Sequence, residues 1–293
     1  MTETTIGTHN GKFHADEVFA LAILKKIYPE AKIERTRDME KLAEMDFRVD
    51  VGRKYDFETK DFDHHQPDFK MERENGTPYA SAGLIWKHFG ENLVNSAEAF
   101  EYIDSILIQP IDAADSGREI AKYNTVFPYT IKEAIDSFNR NWDEDQSSSS
   151  ENAAFHKVLE IASRILDREL KKANSIKEGE DIVKKALKDS EEFIVLDRKG
   201  LPWSNIIMKN PKIKFVVFPE NPNNWLTLAV PIERSRFELR AHFPESWAGS
   251  GKDLEQKSGV KGATFCHKGG FIAAANTKEG AIALTRLALQ KVE

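Results

Sequence analysis

Along the first 120 residues, short β-branched segments alternate with longer apolar segments of helical length. Residues 16–28 carry an almost continuous run of apolar side chains, which is typical of a helix buried on most sides. Strand-like segments lie around this helix at residues 4–8, 32–36 and 47–52. Because strands that alternate with helices favour βαβ units, we predict an N-terminal α/β domain with a parallel sheet.

The rest of the chain has a different pattern. Further helices are predicted at residues 38–45, 80–89 and 97–111. Residues 141–150 are polar and end in a run of serines, which predicts a mobile loop. Residues 151–190 are rich in Lys, Glu, Ala and Leu and predict one or two long helices. The later segments predict strands at 192–197, 213–219, 225–231 and 237–243, a glycine-rich segment at 259–270 and a helix at 278–290.

Composition limits the classes of protein that fit this pattern. The chain has 293 residues, which favours two domains, and a net charge of −6, which disfavours a wholly basic surface for duplex DNA. Its single cysteine excludes an internal disulfide framework and a site with several thiolates. No apolar run approaches the roughly 18 residues of a membrane span. Since no signal or transit segment is evident either, we expect a cytoplasmic protein with no membrane partner.

Histidines and aspartates concentrate where the predicted strands end. In a parallel sheet these ends lie along one edge, so side chains far apart in sequence can converge there. A lone histidine at a strand end is usually capped or solvated, but two groups together favour a metal site. Imidazole and carboxylate ligands without thiolates suit Mn²⁺, Fe²⁺, Mg²⁺ or Zn²⁺, and several carboxylates favour two ions. The candidate residues are His9, His14, Asp16, Asp50, Asp63, His64 and His65.

Several of these residues lie in motifs that resemble a known family. Asp63-His64-His65 is the signature of the DHH phosphoesterase superfamily. The longer stretches 7–17 (GTHNGKFHADE), 49–52 (VDVG) and 61–66 (DFDHHQ) resemble its Myg-type (melanocyte-proliferating-gene) exonuclease branch. Residues 265–272 (FCHKGGFI) resemble the C-terminal glycine motif of that branch, so the resemblance covers nearly the whole chain.

The resemblance implies a fold and a division of the chain. We expect an α/β protein of two domains, with an N-terminal parallel-sheet DHH domain that binds metal at residues 1–145. A helical linker would follow at 146–190, and a smaller C-terminal α/β domain of the DHHA type would bind substrate at 191–293.

The resemblance also implies a set of metal ligands. A fourth motif should supply one more aspartate, and Asp115, followed by Ser116 and Gly117, fits its D-x-G form better than Asp112 does. The first motif departs from the superfamily pattern because its spacing is one residue longer and His14 stands in place of an aspartate. One or two divalent ions are expected, with Mn²⁺ favoured over Mg²⁺. The expected ligands are His9, His14, Asp16, Asp50, Asp63, His65 and Asp115, with Asp112 as the alternative, and the expected catalytic residues are Asp63, His64 and His65.

The C-terminal motif supplies candidates for binding the substrate. Gly269 and Gly270 can bring backbone N–H groups close to a phosphate, with His267 as a directional donor and Lys268 beside it. A plain turn between strands would also explain the glycine pair. Arg236 and Arg240 would share one face of a strand at 237–243, although a solvated edge strand would account for them equally well.

The function predicted from these features is that of a divalent-metal-dependent phosphodiesterase. The resemblance points to a 3′-5′ exonuclease that uses metal-activated water on RNA or single-stranded DNA, in a protein that could form a homo-oligomer. Two alternatives stay open at this point. One is a phosphohydrolase of pyrophosphate or a dinucleotide, and the other is a non-catalytic binding protein that contains the metal.

Overall fold

The computed structural model describes residues 4–118, 125–233 and 238–290. The chain divides into two compact units, Met1–Ser175 and Ile176–Glu293. Among the described residues, no helix combines the length and the apolar character that crossing a membrane requires. The mixed α/β class predicted from the sequence is confirmed, since each unit contains a five-stranded sheet with helices.

The first unit is built on a mostly parallel sheet. Its strand order is β2-β1-β3-β5-β4. The pairs β1–β2, β1–β3 and β3–β5 are parallel, and β4 runs antiparallel to β5 at one edge. The carboxyl ends of four strands therefore lie along one side of the sheet. The five strands of the sheet are β1 (Thr5–Thr8), β2 (Lys32–Arg35), β3 (Phe47–Val49), β4 (Tyr55–Asp56) and β5 (Asp61–Phe62).

The central helix of this unit, α1 (Ala15–Ile27), follows β1 directly. All its residues from Ala15 to Leu24 are buried, as the continuous apolar run predicts. Each fully buried Val, Leu, Ile or Phe here contributes about 1.5–3 kcal/mol. The helix packs against α3 (Ser81–Phe89) and against the long helix α7 (Ser148–Asn174). The remaining helices of this unit are α2 (Met39–Ala43), α4 (Ala97–Ile103), α5 (Gln109–Asp115) and α6 (Ile131–Asp136).

The helix predicted at 97–111 is interrupted. A π-helical turn, Asp104–Ile108, separates α4 from α5. The Asp104 carboxylate accepts hydrogen bonds from Arg73 at 2.7 and 2.9 Å and from the Gln109 side chain at 2.8 Å. These bonds and the missing N–H of Pro110 disturb the regular hydrogen-bond pattern at this point, as is typical of π-bulges.

The polar stretch predicted as a mobile loop is partly helical. Ser147 is the N-cap of α7, and its side-chain oxygen accepts a hydrogen bond from the Ser150 N–H at 3.2 Å. Serine is one of the best N-cap residues, so the serine run begins a helix. The helical stretch 146–190 divides at Ser175, since α7 lies in the first unit and α8 (Ile176–Leu187) in the second.

The second unit has a mixed sheet of order β6-β7-β8-β10-β9, in which only β6 and β7 are parallel. Alternate β7 side chains enter different apolar clusters, with Val217 among residues of α11 and Val216 among residues of α8 and α9. Both faces of the sheet are therefore covered. The elements are β6 (Phe193–Val195), β7 (Phe215–Asn221), β8 (Asn224–Ala229), β9 (Ala263–Cys266), β10 (Ile272–Ala275), α9 (Trp203–Ile207), α10 (Leu254–Ser258) and α11 (Lys278–Gln290).

One predicted strand of the second unit does not form in the described residues. Over 238–243 only an isolated bridge from Leu239 to Pro231 is present. The prediction that arginines share one face of this strand is therefore not supported by the described residues. Arg236 and the first residue of the predicted strand, Phe237, lie outside the described residues.

Candidate metal centre

Three strands of the first sheet end in buried polar residues. His9 follows β1, Asp50 follows β3 and Asp63 follows β5, and all three side chains are buried. Asp16 lies in the first turn of α1 and is buried as well. The convergence predicted from parallel topology is thus present, because these side chains meet at the carboxyl edge of the sheet.

Asp50 lies at the middle of this group. Its Oδ2 lies 3.3 Å from His9 Nε2, while its Oδ1 lies 3.5 Å from His64 Nε2 and 3.2 Å from His65 Nδ1. The backbone at Asp50 has a φ of 54°. Aspartate and asparagine are among the few non-glycine residues that adopt this left-handed conformation readily. The two oxygens of one carboxylate therefore face two different sets of imidazoles.

His64 is surrounded by carboxylates but makes no hydrogen bond through Nε2. This atom lies 3.1 Å from Asp115 Oδ2 and 3.8 Å from Asp16 Oδ2, in addition to its contact with Asp50. It is buried, and within the described residues it has no hydrogen-bond partner of acceptable geometry. A buried ring nitrogen with three acidic neighbours and no hydrogen bond is a suitable ligand for a metal ion.

Two carboxylates are oriented by backbone amides. Asp16 accepts from the N–H groups of Ser81 at 3.0 Å and Ala82 at 2.6 Å, at the start of α3. Asp63 accepts from the Arg53 N–H at 2.6 Å and from the backbone N–H and Nδ1 of His65, each at 2.9 Å. Their positions are therefore fixed before any ion binds.

Glu17 is a candidate ligand that the sequence analysis missed. It is fully buried, and its Oε1 lies 3.1 Å from His9 Nε2. Its two oxygens also accept from the His14 backbone N–H at 2.9 and 3.0 Å. The available signal was a glutamate inside an otherwise apolar buried helix. A glutamate three residues into a helix is also typical of a capping box, which conceals a second role.

Three overlapping groups of side chains could each hold a divalent ion. Within each group the ligand atoms lie within 4.8 Å of one another. Asp50 belongs to two groups, as His64 does, and every donor is nitrogen or oxygen. This donor set fits the metals predicted from the sequence and does not fit a thiolate site. The groups are His9, His14, Glu17 and Asp50; Asp50, His64 and His65; and Asp16, His64 and Asp115.

Asp115 and Asp112 lie in different surroundings. Asp115 faces His64, whereas Asp112 Oδ2 lies 2.8 Å from Arg73 Nη1 and Asp112 Oδ1 accepts from the Gly83 N–H at 2.9 Å. A Cβ on Gly83 would lie only 1.9 Å from Asp112 Oδ2, so this close approach requires glycine. Burial raises the pKa of Asp112 to about 7 against the opposing effect of Arg73. Asp112 thus joins α5 to α3, and Asp115 is the one that reaches the ligand groups.

Protons on the imidazoles and on Asp16 balance the negative charge of the clustered carboxylates when no metal ion is bound. Burial alone would lower the pKa of His9 and His64, but the close negative carboxylates around them raise the pKa to about 10 for His9 and about 11 for His64. Bonds to Asp50 and Asp63 raise the pKa of His65 to about 10. Burial together with Asp115 and Asp50 raises the pKa of Asp16 well above its usual range. Without an ion, the centre therefore holds extra protons on its imidazoles.

The loop that carries His9 and His14 is anchored from a distant part of the chain. Gly11 N–H donates to Glu151 Oε1 at 2.6 Å, and Gly11 O accepts from Arg35 Nη2 at 2.6 Å. Arg35 also pairs with Glu151 at 3.0 Å, and its guanidinium lies over the Phe155 ring of α7. Asn139 bonds to both the N–H and the carbonyl of Phe13, at 3.0 and 2.7 Å. The loop backbone is therefore held by side chains from α7 and from the segment before it.

Comparison with known proteins identifies the family. The model of the MYG1 exonuclease family matches residues 5–289. That family is described as uncharacterised protein family UPF0160. The chain belongs to the MYG1 exonuclease family. It is 33% identical to a MYG1 protein of Dictyostelium discoideum, over 96% of this chain and 95% of that one. It is 32% identical to the MYG1 exonuclease of Mus musculus, over 99% of this chain and 86% of that one. It is 33% identical to a MYG1 protein of Chlamydia pneumoniae, over 98% of this chain and 97% of that one.

In this member of the MYG1 family, the C-terminal glycine motif forms a tight turn between β9 and β10. Gly270 N–H donates to His267 O at 2.9 Å, and Gly269 N–H donates to His267 Nδ1 at 3.0 Å. Gly270 has a φ of 63°, which suits glycine. Both glycine amides are used inside the turn. Because Nδ1 of His267 accepts a hydrogen bond, the ring proton of the neutral form is on Nε2, which can donate outward.

A cavity of about 630 Å³ lies beside this turn. Lys268, Gly269 and Gly270 line one side of it, and Arg240 and His242 line another. The guanidinium of Arg240 donates to the backbone carbonyls of Ile207, Met208, Asn210 and Ile213, at 2.7–3.4 Å. Arg240 therefore stabilises the backbone of the segment after α9. Lys268 and His242 are exposed at the cavity.

Proposed function

We propose that this chain is a divalent-metal-dependent phosphodiesterase of the DHH type, acting as a 3′-5′ exonuclease on RNA or single-stranded DNA. The observation that supports it most is the buried His64 Nε2, which has three carboxylate neighbours and no hydrogen bond. Family membership supports a nuclease, because the relatives in Mus musculus and Homo sapiens are named MYG1 exonuclease. The Asp63-His64-His65 signature supports the DHH assignment.

The ligand groups suggest how the residues divide the binding of one or two ions. His9, His14 and Glu17 would hold one ion on the Oδ2 side of Asp50. His64, Asp16 and Asp115 would hold the other on the Oδ1 side. Asp63, which the sequence predicts as a ligand, accepts from His65 Nδ1 and would fix the orientation of that ring. We propose Mn²⁺ as the ion, because the ligand groups combine imidazole nitrogens with carboxylate oxygens and contain no thiolate.

A divalent ion at this centre would neutralise charge on phosphoryl oxygens and lower the pKa of a water molecule, which is the chemistry needed to hydrolyse a phosphodiester. The protein residues supply position and protons. His65 is half-exposed, with Nδ1 held by Asp50 and Asp63, so its Nε2 faces the open side of the centre. A protonated His65 can donate that proton to the leaving oxygen. Asp63 would keep the His65 ring in the orientation that this transfer needs.

The glycine turn of the second unit would bind a phosphate of the substrate through residues that are not metal ligands. His267 can donate through Nε2 to a phosphate oxygen, and Lys268 adds positive charge beside it. Gly269 and Gly270 would act by shaping the turn rather than by donating, since their amides are already bonded. Gly270 also lets the backbone adopt the left-handed conformation of the turn, with a φ of 63°.

A substrate panel tests this proposal. Protein supplied with Mn²⁺ is given a 3′-labelled and a 5′-labelled octanucleotide of RNA and of DNA, a dinucleotide and pyrophosphate. We expect a ladder that shortens from the 3′ end, with little release from pyrophosphate. Preferred cleavage of pyrophosphate or of the dinucleotide would favour a small-molecule phosphohydrolase. Bound metal with no turnover of any substrate would favour a non-catalytic binding protein.

A matched pair of variants separates substrate binding from metal binding. His267→Ala should slow digestion of the octanucleotide while metal content stays at one or two ions per chain as in the unchanged protein. His64→Ala should lower both metal content and rate, because a ligand of one proposed ion is lost. Loss of metal from His267→Ala equal to that from His64→Ala would refute the substrate role of the turn.

A further inference from the structure

A second cavity lies against the metal centre within the first unit. It measures about 360 Å³, at the lower end of the ~300–1,000 Å³ of small-molecule sites. One wall is formed by residues of the metal centre, including His14 and His65. The lining also includes two arginines, Arg37 and Arg53, which play no part in the ligand groups. The cavity therefore combines candidate metal ligands with two cationic side chains.

The backbone at Arg37 is fixed at the carboxyl end of β2. Thr36 N–H donates to Thr8 O at 2.7 Å, and Thr36 Oγ1 accepts from the Asp38 N–H at 3.1 Å. Asp38 then caps α2 by accepting from the Glu40 N–H at 3.0 Å. Since both neighbours of Arg37 are held, its Cα position relative to the strand end that carries His9 is defined.

The backbone at Arg53 is fixed directly by the metal centre. Its N–H donates to Asp63 Oδ2 at 2.6 Å, and its φ is 53°. A left-handed conformation is uncommon for arginine and persists only when the surroundings impose it. Gly52 before it has a φ of 96°, so the chain turns twice after Asp50 and brings Arg53 over the cavity.

Neither arginine has an acidic partner in the part of the chain that the structure describes. Other arginines of this unit are paired, such as Arg48 with Asp61 and Arg73 with Asp104. Arg37 and Arg53 are exposed and enter no ion pair among the described residues. A guanidinium presents parallel N–H donors that match two phosphate oxygens. Two such groups facing a metal centre suit an anion that carries more than one phosphate.

We propose that Arg37 and Arg53 bind the phosphate of the nucleotide next to the bond being cut, so that the cavity selects the end of a single-stranded polynucleotide over a substrate with one phosphate. This inference rests on the proposed function. Neither residue lies in the stretches that resemble the family, which are residues 7–17, 49–52, 61–66 and 265–272. Both would act on substrate affinity and choice, and neither would act as a metal ligand.

The test compares Arg37→Ala, Arg53→Ala and the double variant with Arg164→Ala. Arg164 is an exposed arginine of α7 that pairs with Glu160 on the same helix, so it controls for the loss of one surface charge. The probe is a fluorescent phosphorothioate octanucleotide, which keeps its charge and resists cleavage. Its affinity is measured by anisotropy at several salt concentrations, with Mn²⁺ present. Rates are measured on an ordinary octanucleotide and on a dinucleoside monophosphate.

Each single variant should weaken octanucleotide binding about two- to fivefold, the size typical of an exposed ion pair. The slope of log K against log salt should become shallower by about 0.7 for each lost phosphate contact. The loss of rate should be larger for the octanucleotide than for the dinucleoside monophosphate. Arg53→Lys should restore part of the affinity, since it keeps the charge but not the paired donors.

An unchanged salt slope in the double variant, with the octanucleotide still digested, would overturn this inference and leave the proposed function intact. A shallower slope in protein that digests none of the substrates would sustain the arginine site and remove the exonuclease. A slope that becomes equally shallow in Arg164→Ala would show that general surface charge, and not this cavity, binds the strand. These outcomes are distinguishable in one set of variants.

Discussion

The side chains of the candidate metal centre hold protons that an incoming metal ion would have to displace. The carboxylates around His9, His64 and His65 raise the pKa values of these imidazoles to about 10, about 11 and about 10. Burial and neighbouring carboxylates likewise favour the protonated form of Asp16. A metal ion needs the unprotonated donor atoms, so it must compete with these protons.

Metal binding should therefore release protons, and its affinity should rise with pH. A group whose pKa is raised in the folded protein keeps its proton below that value, so the competition weakens as pH rises from about 6.5 towards 10. Calorimetric titration of Mn²⁺ into stripped protein, in buffers of different ionisation enthalpy, measures the protons released. We expect more than one proton per chain at pH 7. Affinity that is flat between pH 6.5 and 9 would contradict the imidazolium–carboxylate pairs.

Asp115 and Asp112 make a matched pair for testing the assignment of the fourth aspartate. Asp115→Asn should lower metal content and rate, since it removes a carboxylate that faces His64. Asp112→Asn should instead lower the free energy of unfolding by about 1–3 kcal/mol, because Arg73 loses one of its two buried carboxylates. Elemental analysis and urea unfolding of both variants measure the two effects. The reverse pattern would show that Asp112 is the ligand.

A site residue can be predicted from sequence when a local pattern fixes its position. His9, Asp50 and Asp63 were predicted because each follows a strand, and parallel strands bring their ends together. Glu17 was missed because a glutamate in the first turn of a helix has a common structural explanation. Arg37 and Arg53 carry no local signal of that kind. Their place at the cavity depends on long-range hydrogen bonds to Thr8 and Asp63.

At the scale of elements, long periodic segments were predicted well and very short ones were not. The helices at Ala15–Ile27 and Lys278–Gln290 match their predictions within a residue. The strands β4 and β5 have two residues each, too few to show alternation. The interruption of the helix at Asp104 depends on Arg73, which comes 31 residues earlier. No local pattern could indicate such a contact.

The anchored loop between His9 and His14 gives a prediction at this scale. Glu151→Gln should destabilise the protein by about 1–3 kcal/mol, because Arg35 and Arg140 both lose their charged partner. It should also weaken metal binding about tenfold, since the loop that carries two ligands loses an anchor. Thermal unfolding and metal titration measure these effects.

Glu160→Gln is the matched control on the same helix. Among the described residues Glu160 pairs with Arg164 alone, on the exposed face of the helix, so its loss should change stability by less than about 0.5 kcal/mol. Metal affinity should stay as in the unchanged protein. If Glu151→Gln behaved like Glu160→Gln in both measurements, α7 would not position the metal-binding loop.

At the scale of the whole molecule, each unit has its own buried apolar clusters and its own polar cavity. The first unit holds the candidate metal centre with the arginine-lined cavity, and the second holds the glycine turn with the larger cavity. The net charge of −6 gives no general attraction for nucleic acid, so the proposed binding of a strand would depend on local cations such as those at these two places. Sequence motifs predict the candidate metal centre and the glycine turn. Their cavities are formed by segments far apart in the sequence, so no motif could predict them.

In the proposed function, ions bound at the carboxyl edge of the first sheet are responsible for phosphodiester hydrolysis. The most direct measurement is the rate of oligonucleotide digestion against the number of Mn²⁺ ions bound per chain, as stripped protein is reloaded. Asp50→Asn is measured beside Asp56→Asn, a surface aspartate that pairs with Lys54. We expect no digestion without metal, a rate that rises with occupancy, and loss of both in Asp50→Asn alone. Full digestion by protein verified to be free of metal, or normal occupancy and rate in Asp50→Asn, would contradict the account.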